Sequence, residues 1–192
     1  SAHIVTALQS IVSRNVDLTE AAAVVTVGSI HGGNRANIIP EQVEMLGTLR
    51  ALTPAARELL RTRLVDVATK VGDSLGTEVK VEVPLGMDYP VTYNDEALTA
   101  RMLPSLQVAA GADRVELDVA ATGAEDFSYF AEKVPGLYFT IGGRPANVAK
   151  SATADHHTPD FAVDDSRLDV GVRAMVQLAM DFLSNPAPAA TP

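Results

Sequence analysis

The spacing of apolar residues along the chain predicts four helices. In the first, residues 2–16 carry apolar side chains at helical intervals, among them Ile4 and Leu8. The second starts after Thr53, whose hydroxyl can accept a hydrogen bond from the first turn, and Gly76 ends it. The residues that we expect on its buried face are Leu60, Leu64, Val67, Val71 and Leu75.

The other two helices lie in the second half of the chain. One is predicted over residues 95–110 with Asn94 as its cap, and the other runs from a cap at Asp164 or Asp165 to Leu183. The last helix has a wide apolar face, which we expect to be buried. Its members are Leu168, Val172, Met175, Val176, Ala179 and Leu183.

Alternating and β-branched runs predict five strands. They cover residues 23–30, 43–52, 78–85, 114–117 and 137–141. Over the first 86 residues the order is helix, strand, strand, helix, strand, which is a ferredoxin-like βαββαβ unit without its first strand. That first strand would be central, so its absence would leave unpaired strand edges.

A second unit is predicted over residues 87–184, where short strands and helices alternate as in an α/β layer. The fold class is therefore α/β. Residues 185–192 are rich in alanine and proline without an apolar pattern, and we expect this tail to be disordered.

The composition argues against several classes of partner and ligand. The net charge is −9, with 24 acidic and 15 scattered basic residues, which argues against nucleic acid as a partner. The chain has no cysteine, so disulfides and thiolate ligands are excluded. No apolar run reaches membrane-spanning length and no signal peptide is visible, so we expect no membrane association and a cytoplasmic protein.

Two of the four histidines lie in residues 155–161, with the sequence DHHTPDF. Neutral imidazole is the commonest metal ligand, and a neighbouring carboxylate can raise its basicity. The alternative is a solvated polar loop. Adjacent side chains on an extended segment point in opposite directions, so His156 and His157 are not expected to bind the same metal. A metal site needs three or four ligands, and this cluster can supply one or two.

Four short patterns occur in order along the chain: GGNRANIIP at 32–40, GTLR at 47–50, GAEDF at 123–127 and HTPDF at 157–161. At these positions the chain resembles the zinc-dependent amidohydrolases of the aminoacylase and carboxypeptidase family. The branch that it resembles holds hippurate hydrolases and other N-acyl-L-amino-acid amidohydrolases. The resemblance runs from residue 1 to about residue 183.

This resemblance implies a two-domain enzyme with a catalytic α/β domain, a two-metal centre and an inserted ferredoxin-like lid that usually also forms a dimer. Residues 1–86 resemble the lid, and residues 87–184 resemble the C-terminal part of the catalytic domain. The family's early region holds most metal ligands and the glutamate general base, and this sequence has no counterpart of it. The resemblance therefore implies no catalytic residue in this chain, a zinc cofactor with manganese or cobalt as alternatives, and a homodimer.

The resemblance also implies roles for single residues. His157 directly precedes a Thr-Pro pair, where the family has a metal-binding histidine. Asn37 and Arg50 resemble family residues that reach the substrate carbonyl or carboxylate. Their chemistry suits these roles, since an amide donates a hydrogen bond without adding charge and a guanidinium binds a carboxylate with two hydrogen bonds. The alternatives are a turn residue for Asn37 and a solvated strand residue for Arg50.

The loop at Gly123 and Glu125 resembles the family's substrate-facing glycine loop. A helix starting there would present free N–H groups to an anion, although its own carboxylates compete for those donors. Capping is the alternative for Asp126.

The sequence thus predicts part of a metal-dependent enzyme that hydrolyses the amide bond of N-acyl amino acids or small peptides. On this hypothesis the isolated chain is inactive. The alternative is a non-enzymatic ferredoxin-like dimerisation or binding module. The reading frame upstream of Ser1 would distinguish the two hypotheses.

Overall fold

Helix α1 (Ala2–Asn15) and helix α2 (Pro54–Ser74) meet at Ile11 and Leu60, whose side chains are fully buried. In this computed structural model, which describes residues 1–185, both helices also pack against a two-stranded sheet. The shared core consists of Ile4, Leu8, Ile11, Ala23, Val25, Leu60 and Ala68. The predicted apolar stripe of the first helix is therefore confirmed.

The sheet pairs β1 (Ala23–His31) antiparallel with β2 (Glu44–Ala51). Its register shifts by one residue between Val27 and Ser29, so one residue of β1 bulges out there. Alternation along β2 turns Leu49 toward the helices and Arg50 toward the opposite face. The result is a mixed α/β unit with one face of the sheet covered by helices.

The ends of α2 follow the predicted capping chemistry. The Thr53 hydroxyl accepts a hydrogen bond from the Ala56 N–H at 3.2 Å. At the other end Gly76 has a φ of 72°, and its N–H donates to Asp73 while the Thr77 N–H donates to Gly72. This is the Schellman arrangement that a left-handed glycine permits. Leu75, predicted to be buried, is 57% exposed, because it lies beyond the last helical turn.

The strand predicted over residues 78–85 is wrong: the segment forms no strand and bends at residues 83–84. Val79 and Val81 still pack against the core, and Val79 lies so close to Gly72 that a side chain on Gly72 would collide with it. In the expected ferredoxin-like order this segment would pair with a strand that precedes α1. Apolar alternation therefore predicted its packing but not a hydrogen-bonded partner.

A polar cluster holds the segment that follows. Arg57 donates to a carboxylate oxygen of Asp88 at 2.6 Å, and Arg61, one turn further along α2, forms an ion pair with the same oxygen. The Tyr129 hydroxyl donates to the Asp88 carbonyl at 2.9 Å. Arg61 and then Arg57 lower the pKa of the Asp88 carboxyl below its ordinary value. The cluster fixes residues 86–90 onto α2.

We expect Asp88→Asn to destabilise the chain at pH 7 by about 1 kcal/mol, a modest figure because the pair is partly exposed. Since the folded pKa is lowered, the contribution is complete above the unfolded carboxyl pKa of about 4 and is lost as the pH falls through the lowered value. Urea unfolding at pH 7 and at pH 3 measures it. Asp73→Asn, at the exposed end of α2, is the matched control. A difference that does not shrink at low pH would contradict the assignment.

The contacts divide the chain into two compact units. The first contains Ser1–Thr92 and Val119–Glu132, and includes the short helix α4 (Phe127–Ala131). The second contains Tyr93–Asp118 and the residues from Lys133 onward. The predicted domains at 1–86 and 87–184 stay predictions. Of the predicted tail, residues 186–192 lie outside the described part.

In the second unit helix α3 (Glu96–Ala110) packs against helix α5 (Asp169–Ser184). The cap of α3 is Asp95, whose carboxylate accepts from the Leu98 N–H at 2.7 Å, so the predicted Asn94 cap is wrong. Asn94 instead makes two hydrogen bonds with the backbone of Tyr138, at 2.8 and 2.7 Å.

The two short strands predicted in this unit are also wrong. Residues 137–141 are assigned no strand, and the side chain of Asn94 occupies the N–H and carbonyl of Tyr138 that a neighbouring strand would use. Residues 114–117 begin at the end of a 3₁₀ turn, Ala112–Arg114. Neither segment has a strand neighbour among residues 1–185.

Helix α5 begins at Asp169, so its predicted start after a cap at Asp164 or Asp165 is wrong, because those residues belong to a separate 3₁₀ turn, Asp165–Arg167. Its predicted buried face is also wrong for the described chain. Val172, Met175 and Leu183 are 67%, 61% and 75% exposed, and Ala174 is buried instead. The contact with α3 includes a polar pair, in which the Ser105 hydroxyl donates to Asp181 at 2.7 Å. A helical pattern identifies an apolar face but not the element that covers it. Among residues 1–185, no helix is both long and apolar enough to cross a bilayer.

Candidate metal and substrate site

The histidine pair lies in a tight turn of the second unit. The Thr158 hydroxyl donates to the Asp155 carbonyl at 2.7 Å, and the Phe161 N–H donates to the Thr158 carbonyl at 3.2 Å. His157 has a φ of 65°, in the left-handed region that residues with a Cβ rarely adopt. Such backbone strain often marks functional positions.

The two imidazoles of this turn have different surroundings. The ring of His156 lies 4.6 Å from the ring of Phe161, centroid to centroid. The rings of His156 and His157 are 6.5 Å apart and tilted by 54°. Both histidine side chains are exposed, and the choice of His157 rather than His156 as a metal ligand stays a prediction.

The donor set of the described part is incomplete for a metal. Among residues 1–185, no three histidine or carboxylate side chains are grouped so that they could hold an ion. An imidazole fits zinc and related divalent metals, but one imidazole does not make a site. Asp164 caps the 3₁₀ turn Asp165–Arg167 by accepting from the Ser166 N–H at 3.0 Å. Hydrogen bonds from the side chain and then the backbone of Ser166 lower the pKa of Asp164.

In the first unit, the structure brings together two of the predicted patterns. The Arg50 guanidinium donates through Nη1 to the Thr122 carbonyl at 2.6 Å, across 72 positions of sequence. Thr122 directly precedes Gly123, so the GTLR strand and the glycine loop are in contact. The sequence did not predict a role for Thr122, because the contact uses its backbone carbonyl, a group that every residue has.

The Gly123 loop differs from its predicted form. The helix begins at Phe127, four residues after Gly123, and is only five residues long. Asp126 occupies its cap position but makes no capping hydrogen bond with its side chain, so the predicted Asp126 cap is wrong. The carbonyl of Glu125 accepts from the Ser128 hydroxyl at 2.6 Å. A side chain at Gly123 would meet no atom within 4 Å, so packing does not require glycine there.

Asn37 lies in the exposed connection between β1 and β2, next to a turn in which the Ile38 N–H donates to the Arg35 carbonyl at 3.3 Å. This position agrees with the turn alternative and leaves its amide accessible. The substrate roles of Asn37, Arg50, Gly123 and Glu125, and the metal role of His157, stay predictions. The Asp88 cluster was missed, although two arginines four residues apart on α2 were a signal for a shared carboxylate.

The sequence and the fold together define a hydrolase class. The chain belongs to peptidase family M20/M25/M40, whose sequence model matches residues 4–181.

Three proteins illustrate the similarity. The N-acetyldiaminopimelate deacetylase of Halalkalibacterium halodurans is 38% identical over 142 residues, which are 74% of this chain and 37% of that protein. The thermostable carboxypeptidase 2 of Saccharolobus solfataricus is 31% identical over 95% of this chain and 44% of its own length. The crystal structure of Bacillus subtilis YXEP protein, described as a dinuclear metal binding peptidase, superposes with a TM-score of 0.68. The two chains are 25% identical, and the match covers 95% of this chain and 45% of the other.

The chain spans less than half the length of each of these three proteins. The two relatives are named as a deacetylase and a carboxypeptidase, and the solved structure is described as a dinuclear metal binding peptidase. The activity of a whole enzyme therefore enters below as a proposal.

Proposed function

We propose that this chain is part of a metal-dependent hydrolase that cleaves the amide bond of N-acyl amino acids or small peptides, in the manner of hippurate hydrolases and related amidohydrolases. The observation that carries the proposal is the family match over residues 4–181. The names of the relatives, a deacetylase and a carboxypeptidase, support amide hydrolysis in particular.

The active enzyme contains further polypeptide beyond this chain. Three features of the described residues support this part of the proposal. Among residues 1–185 no three suitable side chains are grouped to hold a metal, segment 78–85 has no strand partner, and the apolar face of α5 around Val172 and Met175 is exposed. An apolar face of this size in a stable protein is covered by another element. The further polypeptide supplies the remaining metal ligands, the general base and that cover.

Each predicted site residue has a role in this enzyme. A bound divalent metal, zinc in our proposal, supplies Lewis-acid activation of water and of the substrate carbonyl. His157 holds one metal through its imidazole. Asn37 and Arg50, on the ferredoxin-like lid, bind the carbonyl and carboxylate region of the substrate. Gly123 and Glu125 line the pocket on the same unit as Arg50.

The test uses the complete protein, translated from the whole reading frame that contains this chain. We expect hydrolysis of hippurate, N-acetyl amino acids or dipeptides, loss of that activity on chelation, and recovery with zinc, manganese or cobalt. No hydrolysis of any of these substrates by the metal-loaded protein would contradict the proposal and would favour the non-enzymatic binding module. The cytoplasmic location stays a prediction.

We further expect a homodimer through the first unit. The two-stranded sheet exposes Ile30 and Leu46 and has strand edges that pair with no other strand among residues 1–185, so a second copy can add to it. Light scattering over a range of concentrations is expected to give twice the monomer mass. Leu46→Glu should shift the equilibrium to monomer, whereas Leu18→Glu, exposed outside the sheet, should not. A wild-type chain that stays monomeric at high concentration would contradict this expectation.

A further inference from the structure

The contact between Arg50 and Thr122 joins a rigid element to an irregular one. Arg50 lies on β2, opposite Val24 in the ladder, and its side chain leaves the sheet on the face away from the helices. Residues 119–126 contain no helix or strand. A side chain that is based on a paired strand has a better-defined position than one on a loop. The sheet can therefore act as the reference for the loop.

We infer that Arg50 is a positioning residue, which sets the orientation of the Thr122–Gly123 peptide. The peptide group is planar and trans, so its N–H points opposite to its carbonyl. When Arg50 Nη1 binds the Thr122 carbonyl at 2.6 Å, the N–H of Gly123 is directed away from the guanidinium. Arg50 thereby fixes the direction in which this backbone donor points.

The surroundings of Gly123 agree with this assignment. An added Cβ there would meet nothing within 4 Å, so the peptide is not held by packing against that position. A loop without packing needs a hydrogen bond to fix its orientation. The guanidinium is charged at every physiological pH and makes stronger hydrogen bonds than a neutral donor.

Orienting the Thr122–Gly123 peptide and binding a substrate carboxylate are two distinct roles of Arg50. The hydrogen bond to Thr122 uses Nη1, so within the part of the chain that the structure describes it leaves the edge formed by Nε and Nη2 to take a carboxylate in the proposed enzyme. A lysine can replace the single hydrogen bond to Thr122 but not a bidentate grip. Methionine keeps the length of the side chain and removes every donor.

The experiment measures backbone order by ¹⁵N relaxation in this chain. In the wild type, order parameters of about 0.85 are expected at residues 122–124, falling below about 0.6 in Arg50→Met and staying high in Arg50→Lys. Arg35→Met, which removes a guanidinium from the β1–β2 connection, should leave the loop unchanged. Unchanged order in Arg50→Met would overturn the inference. So would equal loosening in Arg50→Lys, because a single donor would then not hold the loop.

The consequence for catalysis rests on the proposed function. In the complete enzyme, Arg50→Met should lower kcat by about tenfold or more, since small displacements of positioning groups are costly, and Arg50→Lys should restore kcat while KM stays raised. If kcat in Arg50→Lys is as low as in Arg50→Met although the loop is ordered, the aimed donor is not what supports turnover, and the positioning role is wrong. A complete protein without any hydrolysis contradicts the proposed function instead, and leaves the relaxation result on Arg50 intact.

Discussion

In the complete enzyme, His157→Ala is expected to lower metal content and hydrolysis together, by about 100-fold in rate. In the proposed enzyme His157 is the one metal ligand that this turn supplies. Its loss removes the ion that activates water. Alanine at position 157 would keep the left-handed backbone, with a φ of 65°, but would have no imidazole to bind the metal. Elemental analysis beside the catalytic rate measures both effects.

His156→Ala is the matched control, because it removes an imidazole from the adjacent residue of the same turn. Its ring lies against Phe161, so its loss should cost packing but leave metal content and rate within a few-fold. The assignment is wrong if His156→Ala is the variant that loses metal, or if His157→Ala keeps full occupancy.

The second large effect concerns the chain by itself. We expect the isolated chain to bind zinc only weakly and to show no hydrolysis of hippurate-type substrates. Among residues 1–185 no group of three suitable side chains could hold a metal, and a tight site needs at least three. The general base is also expected from outside the chain, so a loosely bound ion would not give turnover.

Calorimetric titration with zinc and an activity assay on the isolated chain test this expectation. The complete protein, measured in parallel, is the control that shows the assay can detect the reaction. Tight binding of two metal ions by the isolated chain, or turnover by it, would remove the claim that further polypeptide is needed.

Local chemistry allowed the helices to be predicted from sequence. Thr53 and Gly76 fix the ends of α2 through hydrogen bonds to residues within five positions, so the information lies in the neighbouring residues. The same logic failed at Asn94, where two adjacent polar residues could both cap α3. Asp95 caps the helix, whereas Asn94 forms hydrogen bonds with Tyr138, 44 residues away.

Strands could be predicted less well because pairing is not local. Residues 78–85 alternate as a strand does and pack through Val79, yet no strand pairs with them in the described chain. Helix α5 shows the same limit: its apolar pattern was correct, but the pattern says nothing about which element covers Val172 and Met175.

The candidate site could be predicted as a set of residues but not as an arrangement. The motifs identified Arg50 and the Gly123 loop separately. Their contact depends on a backbone carbonyl and on a fold that joins positions 72 residues apart, and neither is visible in a single sequence. Opposite directions for His156 and His157 were expected from an extended segment, but the structure has a turn there with a left-handed residue, so the premise of that expectation does not hold.

The most direct test of the central claim is anomalous diffraction at the zinc edge from crystals of the complete, zinc-loaded protein. The account predicts a metal peak about 2.1 Å from a ring nitrogen of His157, with its other ligands supplied by residues outside this chain. A fully occupied metal centre that does not include His157, or one bound by His156 instead, would contradict it.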